Sequence, residues 1–179
     1  VAEAVSPCVL WVDEVEKAFA GIGSGAAGSE VATRLFGYFL TWMQEKTAQV
    51  FVVTTANDIS VLPPELLRKG RFDEIFYVDF PNEAERKAIF RVHLDKRKKM
   101  NQQIDLHKLA KATDKYSGAD IESIVKEGIE RAFLANRAEL DTQRLMQVIE
   151  ATHPLGMVMK DKVKQYQNRF AEMKIKSAS

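Results

Sequence analysis

The sequence predicts a mixed α/β fold, with part of a parallel sheet in Val1 to about Phe80 and helices alone after it. Three stretches carry that prediction. Val9-Leu10-Trp11-Val12 runs straight into Asp13-Glu14, Val50 to Thr54 is a second apolar run, and from Pro81 the apolar residues keep helical spacing only. Continuous apolar runs of this length suit parallel strands covered on both faces. Ligands of open parallel sheets gather at the carboxyl ends of the strands, where Asp13 and Glu14 stand. Taken alone, the first stretch slightly favours a plainer reading, with Asp13 capping a helix and Glu14 solvated. The residues downstream reverse that order.

Composition sets the outer bounds. A chain of 179 residues has room for one domain or two small ones. Its 46% hydrophobic and 28% charged residues are ordinary for a soluble globular protein. A net charge of +1 creates no field that demands nucleic acid or an anionic membrane. The single cysteine, Cys8, cannot form an internal disulfide and reads as a small core residue in a reducing, cytoplasmic compartment. No apolar stretch approaches a membrane span. Val1-Ala2-Glu3-Ala4-Val5 lacks the regions of a signal peptide, and the absence of an initial methionine suggests a fragment or processed chain.

The elements follow in order. Val1 to Val5 reads as the tail of a helix that Ser6-Pro7 ends, because the residue before proline avoids helical geometry. A short helix through Lys17 and Phe19 is expected after Glu14. Gly21 to Ser29 is all small residues and one isoleucine, a mobile loop by composition; it lacks the lysine and hydroxyl residue that a phosphate-binding loop needs at its end. Leu35, Phe36, Phe39, Leu40 and Met43 form one core-facing stripe of a helix. After the Val50 strand, Leu62-Pro63-Pro64 opens a short helix from Glu65 to Arg68, and Gly70 stops it. Ile75 to Val78 is a third short strand.

The helical part opens on Asn82 and Glu85, a capping box for a helix running to about Lys99. Its basic end, Lys96 to Lys99, reads as solvated charge favoured by the helix dipole. Asp105 caps a short helix carrying Leu106 and Leu109. Ser117 and Asp120 form a second capping box, opening a helix whose buried stripe is Ile121, Ile124, Val125, Gly128, Ile129, Ala132 and Phe133. Asp141 opens another with Leu145, Val148 and Ile149. The last helix aligns Met159, Val163, Tyr166, Phe170 and Met173 on one face. No internal repeat is visible.

Asn57 ends an apolar strand, as the acidic pair does, and alone it reads as a turn residue. Arg68 and Arg71 bracket Lys69-Gly70 and alone read as surface charge. In sequence order, though, an acidic pair, a polar strand end and a placed pair of arginines are what phosphoryl transfer needs. They supply a metal anchor with a water-orienting group, a contact to the attacked phosphate, and positive charge for the transition state. Two adjacent acids repel unless a cation lies between them, which magnesium on a nucleotide would provide.

With those residues in place, the chain resembles an AAA-type (AAA+) ATPase over roughly residues 5 to 150. Val9 to Glu14 resembles the family's Walker B strand. Val50 to Phe80, above all Leu66-Leu67-Arg68-Lys69-Gly70-Arg71-Phe72-Asp73, resembles its second region of homology, and Tyr116 to Ile121 resembles the sensor 2 turn of its helical lid. The tail resembles a bacterial and plastid-encoded subfamily. The resemblance implies a parallel-sheet P-loop NTPase core lacking its N-terminal part, followed by an all-helical lid. It implies ATP and magnesium as ligands, with Asp13 on the metal's hydration shell, Glu14 polarising the attacking water and Asn57 as sensor 1. Arg71, with Arg68, would be an arginine finger reaching a neighbouring subunit's nucleotide, and Ser117, Gly118 and Ala119 would approach the nucleotide from the lid. The Gly21 to Ser29 loop stands where the family has a second pore loop. Asp58-Ile59 replaces the usual arginine and proline, and Lys69 the usual proline.

No G-x-x-x-x-G-K-[ST] occurs in the 179 residues. The expected organisation is therefore the back of an α/β nucleotide-binding core in 1–80, a lid in 81–151 and an amphipathic helix in 152–179, inactive alone. In the complete protein the resemblance implies an ATP hydrolase in a homo-oligomeric ring, a hexamer, that remodels or translocates a macromolecule. A protein substrate fits better than nucleic acid, since few aromatics accompany the lysines of Lys96 to Lys99 and the last helix. The alternative is a non-hydrolysing regulator or assembly scaffold; the intact Asp13-Glu14 pair argues against it.

Overall fold

A computed structural model of the chain describes residues 1–19, 29–68, 70–135, 139–173 and 175–178. The glycine-rich stretch at 21–28 and Lys69 lie outside the described residues. The chain divides into two compact units, Val1–Ile75 and Phe76–Ser179.

In the first unit, β1 (Cys8–Val12) and β2 (Val50–Thr54) pair in parallel, with Cys8 beside Val50 and Val12 beside Thr54. Between them in sequence run α1 (Val15–Ala18) and α2 (Ser29–Glu45). The core gathers Val15, Phe19, Phe36, Leu62 and Leu66, with Val12, Phe39, Leu40 and Phe72 partly buried against it. Phe19 meets Phe36 edge to face at 5.0 Å between centroids, a favoured aromatic geometry. Before β1, Glu3–Val5 forms one 3-10 turn, and past β2 lie two more, Ile59–Val61 and Pro64–Leu67. Asp58 accounts for the first of that later pair, because its side chain accepts the Ser60 N–H and ends the strand exit in a cap.

Burial on both faces is not what these strands show. Val9, Trp11 and Phe51 are 66%, 62% and 69% exposed, because the described core packs on one face of the two-stranded sheet only. The α2 stripe is likewise narrower than its spacing implies. Phe36 is buried, but Leu35 is exposed on the flank of the helix.

The second unit is helical: α3 (Glu83–Lys96), α4 (Leu106–Ala112), α5 (Gly118–Leu134) and α6 (Thr142–Ala151) enclose one apolar core. Phe90, Leu94, Leu109, Ile121, Ile124, Val125, Leu140, Leu145 and Val148 are each at most 1% exposed. Both expected capping boxes are present, on Asn82 with Glu85 and on Ser117 with Asp120, and Asp105 and Asp141 cap α4 and α6. Gly128 allows α5 to lie close to α6; a Cβ there would stand 2.7 Å from Leu145 Cδ2. Tyr116 ties the α4–α5 turn to the end of α6, donating from its hydroxyl toward the carbonyls of Ile149 (3.1 Å) and Thr152 (2.8 Å).

Four details depart from expectation. Helix α3 stops at Lys96, three residues early, because Lys98 turns left-handed (φ 54°) and Lys98 N–H and Lys99 N–H close back on the carbonyls of Asp95 and Leu94. Nor is its basic end merely solvated: Arg97 donates to Glu122 of α5 at 2.7 Å. Phe133 points outward, 78% exposed, since α6 has already covered the inner face of α5. The strand expected at Ile75 to Val78 is the two-residue β3 (Phe76–Tyr77), and it leaves the β1–β2 sheet for another partner.

That partner is the C-terminal tail. After α7 (Leu155–Val158) and α8 (Lys160–Glu172), the chain turns into β4 (Lys176–Ser177), which runs parallel to β3. The tail is therefore not helix to its end. Phe170 stacks on Tyr77 at 4.4 Å, and Gln167 donates to Asp79 at 2.7 Å. Burial, then the Asp79 carboxylate, pushes the Tyr77 phenol up to about 12. Among the described residues no helix is long and apolar enough to cross a membrane.

Candidate functional site

The site is built where β1 and β2 end side by side. Their parallel register brings Val12 beside Thr54, so residues 13–16 and 55–57 leave the sheet together. Backbone bonds continue the pairing past the strands, from Thr55 N–H to Val12 O at 3.0 Å and from Val15 N–H to Thr55 O at 2.9 Å.

Side chains complete the clasp. The Thr55 hydroxyl donates to Asp13 Oδ1 and accepts the Glu14 N–H at 2.9 Å. Glu14 has left-handed backbone (φ 50°, ψ 53°), a conformation that costs a residue with a side chain on the order of 1–3 kcal/mol. The other positive-φ residues with side chains, Lys98 and Lys115, follow helix ends, where that conformation is common. At Glu14 it turns the chain sharply out of β1, so that neighbouring acids face different partners. Asn57 Nδ2 donates to Glu14 Oε1 at 3.0 Å, while Lys17 holds Oε2 and is itself held above its ordinary amine range by that bond.

Beneath this pair lies Glu16, a residue only 8% exposed. Its Oε1 accepts the Asn57 N–H at 3.0 Å, and its Oε2 is buried with no hydrogen-bond partner among the described residues.

Of the residues expected to act together, Asp13, Glu14 and Asn57 do meet. Arg71 belongs to the same unit but points elsewhere, donating from Nη1 to the Leu40 carbonyl of α2. Gly70 (φ 91°) makes its turn possible, and Arg71 N–H closes on Arg68 O at 3.3 Å. Arg68 is exposed, and its guanidinium has no hydrogen-bond or ion-pair partner among the described residues. Ser117, Gly118 and Ala119 lie in the other unit at the start of α5. There Ser117 is engaged with Asp120, while Ala119 is exposed. Sequence reasoning missed Thr55 and Glu16. The signal for Thr55 was a hydroxyl one residue past a strand; for Glu16 it was an acid on the inward side of a helical turn, beside Val15 and Phe19.

Among the described residues no cluster of three or more His, Cys, Asp or Glu side chains is arranged to cage a metal ion. The exposed Asp13 carboxylate has Oδ1 fixed by Thr55 and no hydrogen-bond partner at Oδ2 among the described residues. One hard oxygen donor facing water is the set that suits magnesium, which keeps several waters and takes other oxygens from phosphate. It does not suit zinc, whose sites gather nitrogen and sulfur.

Residues 1–80 match the family model described as "ATPase family associated with various cellular activities (AAA)", and residues 103–147 match one described as "AAA+ lid domain". Over 180 residues the chain is 44% identical to the AAA domain-containing protein ycf46 of Pyropia yezoensis, covering 100% of this chain and 36% of that protein. It is 42% identical over 179 residues to the protein of the same name from Guillardia theta, 99% of this chain and 35% of the other. ATP-dependent zinc metalloprotease FtsH 1 of Sphaerobacter thermophilus is 33% identical over 148 residues, 81% of this chain and 22% of that protein. The chain thus spans about a third of the length of the ycf46 proteins it matches.

Proposed function

The chain belongs to the ATPase family associated with various cellular activities (AAA), and we propose that in the full-length protein its Asp13, Glu14 and Asn57 hydrolyse Mg-ATP to remodel or translocate a macromolecule. The observation that carries this reading is the Asn57 amide on the Glu14 carboxylate at 3.0 Å, with Asp13 fixed one residue away by Thr55. Glu14 accepts a proton from the attacking water and orients its lone pair toward the terminal phosphate. Asn57 holds the Glu14 carboxylate in place and offers a donor to the same phosphate or water. Asp13 is the residue that would hold magnesium, through its water shell; when bound, the metal neutralises charge on the phosphate oxygens.

The remaining assignments rest on family position. Arg71, with Arg68, serves the nucleotide of the next subunit in a homo-oligomeric ring, a hexamer. Its bond to Leu40 O involves a neutral carbonyl and is readily exchanged for a phosphate oxygen, a stronger charge-assisted partner. Ser117, Gly118 and Ala119 bring the start of α5 to the nucleotide, where free backbone N–H groups suit an anion. FtsH 1 is named as ATP-dependent, and that dependence carries over as part of this proposal. The macromolecule acted on is a protein.

ATP turnover by the full-length protein tests the reading. Glu14→Gln keeps size and polarity but removes the base, so nucleotide still binds while turnover falls by about 10² or more. Asp13→Ala weakens the magnesium-dependent part of binding instead. Parental turnover in Glu14→Gln contradicts the assignment.

A further inference from the structure

We propose that Glu16 is a positioning residue for hydrolysis, holding the Asn57 backbone so that the Asn57 side chain stays on Glu14. The inference rests on the hydrolytic reading above and adds a residue to it. Glu16 sits in α1, two residues past Glu14, and the residue is more than nine-tenths buried. One oxygen takes the Asn57 N–H at 3.0 Å, and from the same residue Asn57 Nδ2 reaches Glu14 Oε1 at 3.0 Å. Asn57 lies beyond the last residue of β2, where no ladder bond fixes it. The Glu16 carboxylate stands in for that missing ladder.

Stability alone does not account for an acid at this place. Glu16 lies beside Val15 in the core of the unit, and among the described residues its buried Oε2 has no partner, an arrangement that an apolar residue of similar size would avoid. What the acid supplies and an apolar side chain cannot is an acceptor aimed at residue 57. Asn57 itself is exposed, so without that acceptor its backbone would bond to water and its side chain would sample several positions.

Steady-state kinetics on the full-length protein test this. Glu16→Leu keeps the volume and removes the acceptor; kcat falls about tenfold while KM for ATP changes little, since a small misplacement of a catalytic group costs up to about a hundredfold. Glu16→Gln keeps an acceptor and recovers most of the lost kcat. In an Asn57→Ala background, Glu16→Leu lowers kcat less than about twofold further, because the group it positions is gone. A merely structural role would instead give equal kcat losses in both backgrounds, or no recovery by Gln, and either result overturns the proposal. A second measurement needs no variant: the Asn57 N–H exchanges with solvent as slowly as the β2 amides, and exchange at the free-chain rate overturns the proposal even if Glu16→Leu does not fold. The two readings fail separately. If Glu14→Gln turns over ATP normally, the hydrolytic reading falls and takes this one with it; if Glu14→Gln is slow but Glu16→Leu is not, this one alone falls.

Discussion

Thr55 serves both acidic residues of the strand end with one hydroxyl. A hydroxyl has one proton to give and two acceptor positions, and here the proton goes to Asp13 Oδ1 while an acceptor position takes the Glu14 N–H. That N–H needs a partner because left-handed backbone at Glu14 carries it out of the β1 ladder. Thr55→Val keeps the shape and removes the proton and the acceptor together. The loss is about 1.5–3 kcal/mol, the range for hydrogen bonds that involve a charged group, read as a lower urea midpoint without a change in slope. Turnover falls with it, because Asp13 and Glu14 lose the contact that sets them apart. Thr55→Ser retains the hydroxyl and keeps both properties. Equal midpoints for Thr55→Val and the parent would show that the hydroxyl fixes nothing.

At the scale of elements, α3 and α5 are joined on their outer side by charge. Arg97 donates to Glu122 at 2.7 Å, and Lys126, one turn along α5, stands 3.2 Å from the same oxygen. Those bonds, Arg97 first and Lys126 second, hold the Glu122 carboxyl down at about 2. Its folded value lies below the ordinary 4.5, so the ionised form is the one the fold favours. The stabilisation is complete above about 4.5 and disappears as pH falls from there toward 2. In acid unfolding followed by helical circular dichroism, the parent loses stability through that window more steeply than Glu122→Gln. Identical acid profiles would contradict the link. His93 lies 3.9 Å from Glu122, and burial holds its imidazole below the usual range, so it adds little positive charge near neutrality.

The sequence made some of these elements legible and hid others, for physical reasons. Helix starts were legible because caps are local: Asn82, Asp105, Ser117 and Asp141 each bond within three residues. The acidic pair and Asn57 were legible because an apolar run ending in polar residues marks a strand's carboxyl end. The early stop of α3 was hidden because it depends on a lysine taking left-handed backbone, where glycine is the usual sign. The β3–β4 pairing was hidden because it joins residues about a hundred positions apart and only two on each side. Its anchor is the Tyr77–Phe170 stack, which spacing within either segment cannot reveal. Glu16 was hidden because burial of an acid shows only once the fold around it is known.

At the scale of the whole molecule, the proposed reaction turns on where its positive charge comes from. In the proposed reading Asp13, Glu14 and Asn57 serve as metal anchor, base and sensor, while of the described cations of their unit Lys17 is held on Glu14 and Arg71 is turned to Leu40. Phosphoryl transfer needs positive charge at its transition state, worth about 10³–10⁵ in rate when an arginine supplies it from a neighbouring subunit. On the proposed reading that charge comes from the next subunit, with Arg71 of one copy serving the nucleotide at Glu14 of its neighbour. The most direct measurement mixes full-length subunits carrying Arg71→Ala with full-length subunits carrying Glu14→Gln, each nearly inactive alone. In mixed rings some interfaces join an intact Glu14 to an intact Arg71, and ATP turnover returns in proportion to those interfaces. Silence at every mixing ratio, with mixed rings demonstrably formed, would contradict a hydrolytic centre completed by the neighbouring subunit.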